Sequence, residues 1–198
     1  DKVGQKTIGF FDQAKHWQYR VGVTQILTPK WLASANIEAV ADSGYLGNPY
    51  RAARVFGAAV PENVPRTRSS RALNLRAIGD LGSPNAPRSA IRGSYRYFWD
   101  NWDVKSHTFE GGYSRYVGES FLLDSFLRHY RQGKASFYSD DAQVQNTYVT
   151  RNRQLGTYNG NTLGGKVTYS WRKVPGQYEV KFNGALELLR YRYSDYTD

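Results

Sequence analysis

Two of the three histidines stand near serines, a pairing that could perform nucleophilic hydrolysis. Ser106 directly precedes His107, and Ser125 lies four residues before His129. A serine hydrolase needs the hydroxyl within hydrogen-bonding reach of the imidazole. Neighbouring residues of a strand point to opposite faces, and four residues of extended chain span about 13 Å. Neither pair can therefore form a dyad within one strand, which makes a lipid-modifying enzyme the weakest of the functional hypotheses.

The sequence offers equally little for metal or cofactor chemistry. The chain contains no cysteine, so it forms no disulfide and supplies no thiolate ligand. Asp42, Asp140 and Asp141 have the right oxygen ligands for calcium, but their spacing fits no calcium-binding loop. The nucleophile-elbow, phosphate-loop and zinc-peptidase motifs are also missing. We expect no catalytic residue, no metal and no cofactor.

Charged residues recur at the polar positions of segments whose alternate residues are apolar. Val21 and Val23, for example, alternate with Arg20 and Thr24. Strict alternation is typical of β-strands with one apolar and one polar face. The charges could form cross-strand ion pairs that fill an interior, or they could line a pore with a modest preference for anions. These positions are Arg20, Glu38, Arg92, Arg96, Lys105, Glu110, Lys166, Arg172, Glu179, Lys181 and Glu187.

Small residues at polar positions bear on the same choice. Gly22, Ser94, Gly112 and Gly164 would leave room for a lumen or for an inserted segment of a partner. They favour an interior with free space, but they do not distinguish an open lumen from one that holds a segment of a partner.

Alternation predicts about eight strands, and most are long enough to cross a bilayer when tilted. The segment that contains FLLDSF has no clean period and is the least clear of them. The predicted strands are 17–27, 31–41, 71–80, 88–98, 104–116, 121–131, 162–172 and 178–192.

The connections between these strands alternate in length. Tight turns contain proline or glycine, as at Pro29, Gly118 and Pro175-Gly176. In an antiparallel meander the tight turns would lie at one end and the long loops 42–70 and 132–161 at the other. That arrangement is typical of outer-membrane barrels. The sequence predicts an all-β fold, an antiparallel transmembrane β-barrel with an up-and-down meander. It forms one domain over residues 1–198.

The direction of the first and last predicted strands places both ends of the chain at the long-loop end. Bacterial barrels usually keep their termini at the opposite end. We therefore expect further strands on both sides, giving a full barrel of ten or more strands.

The loop 42–70 is too long for a structureless connection in a compact domain. It could fold into the lumen as a constriction, or it could cap the barrel from outside. Arginine pairs well with phosphate, so basic outer loops could also bind lipopolysaccharide. The arginines in question are Arg51, Arg54, Arg66 and Arg68.

The formal charge of +10 raises the possibility of nucleic acid binding. The basic residues are scattered over strands and loops, however, and no nucleic-acid-binding motif is present. We expect contact with outer-membrane lipid and lipopolysaccharide, and a possible periplasmic or surface protein partner, rather than nucleic acid.

Residues 22–68 resemble the signature region of the DUF3570 family of predicted bacterial outer-membrane β-barrels. The resemblance continues through Tyr95–Trp102 and Ser106-His107-Thr108. It implies the barrel fold and the outer membrane as location, and it supplies no catalytic residues. Its main pieces are the turn Thr24–Pro29, Ser43-Gly44-Tyr45-Leu46, Asn48-Pro49-Tyr50-Arg51, Pro61-Glu62 and Pro65-Arg66-Thr67-Arg68.

Two functions remain open on these grounds. The first is a porin-like channel or a transport component of the outer membrane. The alternative is a structural or anchoring barrel that docks a periplasmic or cell-surface partner. A lipid-modifying enzyme is the least favoured.

Overall fold

A computed structural model of the chain describes residues 2–5, 10–83, 88–174 and 177–197. The described chain forms one antiparallel nine-stranded sheet and a separate two-stranded hairpin, β4–β5. In the sheet, each strand pairs with the next sheet strand along the chain. The strands are β1 (Lys2–Gln5), β2 (Phe10–Thr28), β3 (Trp31–Gly44), β4 (Ala52–Val55), β5 (Ala58–Pro61), β6 (Thr67–Asp80), β7 (Ser89–Asp100), β8 (Lys105–Val117), β9 (Phe121–Gln132), β10 (Tyr158–Val174) and β11 (Tyr178–Tyr193).

The predicted all-β meander is confirmed. All eight predicted strands are present as β2, β3 and β6–β11, and β2 begins seven residues earlier than expected. The segment without a clean period is the regular strand β9. Within the described ranges, no pairing joins β11 to β1 or β2. No helix in these ranges has the length and apolar character needed to cross a membrane.

The register between strands sorts the side chains onto two faces. Val21 lies opposite Ile37, and the same line continues through Leu73 and Tyr97. We call this side the apolar face. Its side chains are largely uncovered: Val21 is 76% exposed.

The other side of the sheet carries ions. Arg20 lies opposite Glu38, one position away from Val21 and Ile37, and we call this side the polar face. The expectation that Lys105 lies on the polar face was wrong. Lys105 pairs with Trp99 and lies on the apolar face with Tyr97 and His107. The pattern was misleading at Lys105 because strand β8 begins there, where few preceding residues set the alternation.

The two ends of the sheet differ, as the antiparallel order requires. The connections β2–β3, β6–β7, β8–β9 and β10–β11 lie at one end, which we call the turn end. At Gly118 the turn needs a positive φ of 62°, a conformation that glycine adopts at little cost. The long connections 45–66 and 133–157 lie at the other end, the loop end, together with the short connection 101–104.

The main hydrophobic core lies at the loop end rather than within the sheet. The two long connections join into one body, which we call the cap (residues 45–66 and 133–157). Asn63 N donates to Val149 O at 3.1 Å, and Val149 N donates back to Asn63 O at 2.8 Å. The core residues of the cap and the adjoining turn are Val64, Trp102, Val104, Ala135, Tyr138 and Leu155.

Candidate functional site

The polar face is crossed by ion pairs between neighbouring strands. Arg20 on β2 and Glu38 on β3 are direct partners in the register, and Arg20 Nη2 lies 3.2 Å from Glu38 Oε1. The amide of Gln18 also donates to that carboxylate. Arg20 and Glu38 therefore neutralise each other's charge between β2 and β3.

A second group of ion pairs joins β7, β8 and β9. Arg128 Nη2 lies 2.6 Å from Glu110 Oε2. Arg92 reaches Asp124 at 3.8 Å, and Ser114 Oγ connects them, accepting from Arg92 at 3.2 Å and donating to Asp124 at 2.5 Å. This network unites residues of three strands, so it fixes their side chains as well as their register.

The other predicted polar-face residues have fewer partners. Lys181 Nζ lies 2.9 Å from Glu179 Oε2 on the same strand. Arg96 is half-buried, lies 5.4 Å over the ring of Phe98 and forms no salt bridge within the described residues, although its charge acts on the Glu38 carboxylate. Lys166 lies beside Asp124 in the register and is exposed. Arg172 follows a β-bulge, and its side chain lies outside the described residues.

The glycines of the polar face do not leave the free space that the sequence predicted. A Cβ at Gly112 would meet the guanidinium of Arg92 at 2.5 Å, and a Cβ at Gly164 would meet the ring of Phe126. Asn36 covers Gly22 in the same way. Larger neighbours fill these positions, which a sequence pattern cannot show because the covering side chain comes from another strand.

At the loop end, Asp100 organises a buried charge cluster. Its Oδ2 accepts from Arg68 Nε at 2.8 Å and Nη2 at 2.5 Å, and its Oδ1 accepts from the backbone N–H groups of Trp102 and Val104 at 2.9 Å. The Asp100 side chain is fully buried. The Arg68 guanidinium also lies 4.6 Å over the ring of Trp102. The cluster ties β6 to the turn after β7.

Between this cluster and the cap lies a cavity of about 400 Å³. The polar face forms its floor, and cap residues form its roof. Two of its arginines, Arg51 and Arg96, form no salt bridge in the described part of the chain, whereas Arg68 is paired with Asp100. The residues that bear on its chemistry are Arg51, Glu62, Arg68, Arg96, Trp102 and Tyr130.

The four arginines predicted in the 42–70 segment are in different environments. Arg51 is half-buried at the cavity, and Arg68 pairs with Asp100. Arg66 pairs with Asp12 at 2.7 Å, and Arg54 on β4 is exposed. Of these four arginines, Arg51 and Arg68 line the same cavity, and Arg54 and Arg66 do not.

Charged and hydrogen-bonded side chains also connect the cap to the segment that follows β11. Burial opposes the ionisation of Asp140, but hydrogen bonds from Arg151 and Thr197 outweigh it and hold the pKa of Asp140 below its ordinary value. Burial and the charge of Asp195 raise the pKa of Tyr138, whose hydroxyl donates to Asp195 O at 3.0 Å. The cap is thus linked to the segment that follows β11.

The residues considered for hydrolysis and for calcium have separate partners. His107 Nδ1 lies 2.8 Å from the Tyr95 hydroxyl, and His129 Nδ1 lies 2.8 Å from Asn161 Oδ1. Asp42 pairs with His16. Across the described ranges, no group of three His, Cys, Asp or Glu residues is placed to hold a metal ion.

The sequence interpretation missed Asp100, Asp124 and Arg128. The signal for Asp100 was present, because aspartate commonly accepts backbone N–H bonds at the start of a turn. Asp124 and Arg128 lie on β9, whose apolar residues do not alternate, so no face could be assigned to them.

Comparisons with known proteins give one match. A family model described as a protein of unknown function (DUF3570) matches residues 3–187. No curated protein and no solved structure matches. Since that family match covers nearly the whole chain, the protein belongs to the DUF3570 family.

Proposed function

We propose that the chain is part of an outer-membrane β-barrel whose polar face lines a channel for small solutes, with the cap at its mouth. The apolar face carries the proposal. Trp17, Val21 and Leu186 are 61%, 76% and 69% exposed, and continuous exposed apolar surface of this kind needs a lipid or protein covering. The sheet strands from β2 to β11 have 12 to 19 residues, more than the 9–11 that cross a bilayer.

The balance of charges favours weak selectivity for anions. Most acids of the polar face have a basic partner, as Glu38, Glu110 and Asp124 do. Four described cations on this face and at the cavity form no salt bridge, one more than the described acids there without a basic partner, which are Glu62, Asp80 and Glu187. These cations are Arg51, Arg76, Arg96 and Lys166. A wet interior with uncompensated cations attracts anions.

Conductance of the full-length protein in planar lipid bilayers tests the channel. We expect steady single-channel conductance. The reversal potential should be displaced toward the equilibrium potential of the anion. Arg96→Gln should reduce the displacement. Arg115→Gln is the matched control, because Arg115 lies on the apolar face near the turn end and should leave the displacement unchanged.

The role of the cap can be tested with a single engineered disulfide. Asn63 and Val149 exchange both backbone hydrogen bonds, and such a pair has Cα atoms about 5.5 Å apart, within the range of a disulfide. The chain has no other cysteine. If the two long connections of the cap must separate from each other for solutes to pass, Asn63→Cys/Val149→Cys conducts only after reduction. Asn63→Cys alone controls for the substitution.

A second function is an anchoring barrel that docks a periplasmic or surface protein. The shared hydrophobic core of the cap favours it, because Val64 and Leu155, from the two long connections, pack in one cluster and make the cap a single platform. A folded protein that never conducts, and that copurifies with one protein at fixed stoichiometry, would replace the channel with this function.

A further inference from the structure

Six basic residues project from the apolar face in its half nearer the loop end. All six are exposed, and none forms an ion pair or a side-chain hydrogen bond within the described chain. No Asp or Glu occupies a described position of this face on β2, β3 or β6–β11. The residues are Lys15, Arg71, Lys105, Arg131, Arg190 and Arg192.

Three of these residues form a cluster on β9–β11. One register line contains Arg131, Asn159 and Arg192, and the next contains His129, Asn161 and Arg190. Neighbouring strands lie about 4.8 Å apart, so Arg131 and Arg192 are separated by about 10 Å at the backbone. Arg190 and Arg192 are about 7 Å apart along β11. Long guanidinium side chains at these distances can reach one polyatomic anion.

Leucines continue the same surface toward the turn end. Leu127, Leu163 and Leu188 occupy the register line directly beside His129, Asn161 and Arg190. The three leucines are 59%, 56% and 60% exposed. The arginines match the anionic headgroup of a lipid, and the exposed leucines on the next register line match its acyl chains.

We propose that the apolar face of β9–β11 is a binding site for a membrane lipid whose headgroup carries phosphate. The phosphate oxygens accept hydrogen bonds from Arg131, Arg190 and Arg192, because the guanidinium group binds phosphate in a bidentate manner. The acyl chains lie along Leu127, Leu163 and Leu188. This inference rests on the proposed function in one respect, namely that the apolar face is embedded in lipid.

The opposite end of the same face shows why the site belongs to one leaflet. Near the turn end this face carries Phe121, Tyr169 and Phe182 on one register line, and Arg115 is the cation among the side chains described there. Aromatic rings of this kind suit the interface without selecting a charged headgroup. The lipid site is therefore confined to the leaflet at the loop end.

The test compares two lipids with identical acyl chains, phosphatidic acid and phosphatidylcholine, titrated onto the full-length protein in non-ionic detergent. Bound lipid is counted by native mass spectrometry. We expect phosphatidic acid to bind at least tenfold more tightly. The variant Arg131→Gln/Arg190→Gln/Arg192→Gln should lose that preference, whereas Arg115→Gln, on the same face at the other end, should retain it.

Further measurements separate the possible failures. Equal affinity for the two lipids, or an unchanged preference in the triple variant with native circular dichroism, overturns the site. Competition by millimolar inorganic phosphate as strong as that by phosphatidic acid also overturns it, because acyl contacts would then add nothing. Flotation with phosphatidylcholine vesicles tests membrane embedding separately, and conductance tests the channel.

Discussion

Removing the Asp100 carboxylate should destabilise the fold more than removing any exposed acid of the polar face. Asp100 is fully buried and accepts four hydrogen bonds, two from Arg68 and one each from the backbone of Trp102 and Val104. Trp102 and Val104 are themselves 5% and 2% exposed, so water cannot replace the lost acceptor at their N–H groups.

The magnitude follows from what Asp100→Ala leaves behind. Breaking a buried pair by removing one partner costs about 3–5 kcal/mol, and each buried N–H without an acceptor costs about 1–3 kcal/mol. The Arg68 side chain is 26% exposed, so it regains some hydration, and the loss of the pair should cost about 3 kcal/mol, the low end of its range. The two N–H groups together add at least about 2 kcal/mol. We expect Asp100→Ala to lower the free energy of unfolding by about 5 kcal/mol.

Two further variants divide this cost. Asp100→Asn keeps a carbonyl oxygen for the two backbone N–H groups and removes the charge, so it should cost less than Asp100→Ala. In a double-mutant cycle with Arg68→Ala, the coupling energy should be about 2 kcal/mol, within the range for residues in direct contact.

The matched control is the Arg20–Glu38 pair on the same face. Arg20 is 63% exposed and Glu38 is 14% exposed, so this pair should contribute more than the roughly 0–1 kcal/mol of fully exposed pairs and less than the pair whose acid, Asp100, is fully buried. Equilibrium urea unfolding in detergent micelles, followed by tryptophan fluorescence, gives all the required free energies. Equal losses in Asp100→Ala and Glu38→Ala, or a coupling energy near zero, would refute the assignment of Asp100 as the organising residue.

Two other predictions concern the cap and the glycine that ends β3. Gly44 and Gly57 both have positive φ angles, 113° and 78°. A Cβ at Gly44 would also meet the Ala14 backbone at 3.0 Å, whereas a Cβ at Gly57 would have open space. In urea unfolding, Gly57→Ala should lower the free energy of unfolding by about 1 kcal/mol, and Gly44→Ala should lower it clearly more. The pKa of Asp140 is lowered in the folded protein, so its ionised carboxylate stabilises the fold. This stabilisation is complete at pH values above the ordinary carboxyl pKa of about 3.9. It is lost as the pH falls through the lowered pKa. Hydrogen-exchange protection factors in residues 133–157, each taken against the intrinsic exchange rate at the same pH, should therefore fall below about pH 4. Asp140→Asn should show the lower protection already at pH 7, and equal protection factors at pH 7 and pH 3 would contradict this.

The strands and their faces were within reach of the sequence. The alternation of Val21 and Val23 with Arg20 and Thr24 is a local property, because successive side chains of a strand point to opposite sides. It correctly gave the eight long strands, the lengths of their connections and the position of Arg20 and Glu38 on the polar face. It was wrong at Lys105, where the strand begins.

The cap and the buried cluster were beyond the reach of the sequence. Their contacts join residues far apart in the chain: Thr150 donates to Glu62 across 88 positions, and Arg68 reaches Asp100 across 32. Such pairings depend on which connections meet at one end of the sheet and on how their cores pack.

What the sequence by itself determined is the alternation of apolar and polar residues, and with it a two-faced antiparallel meander. What only the tertiary structure decided is which charges find partners. On the polar face, neighbouring strands bring Glu110 to Arg128 and satisfy both. On the apolar face, the same register sets Arg131, Arg190 and Arg192 side by side, and no described position of that face holds an acid. The physical reason is that pairing across strands depends on register, which is fixed by the whole sheet at once.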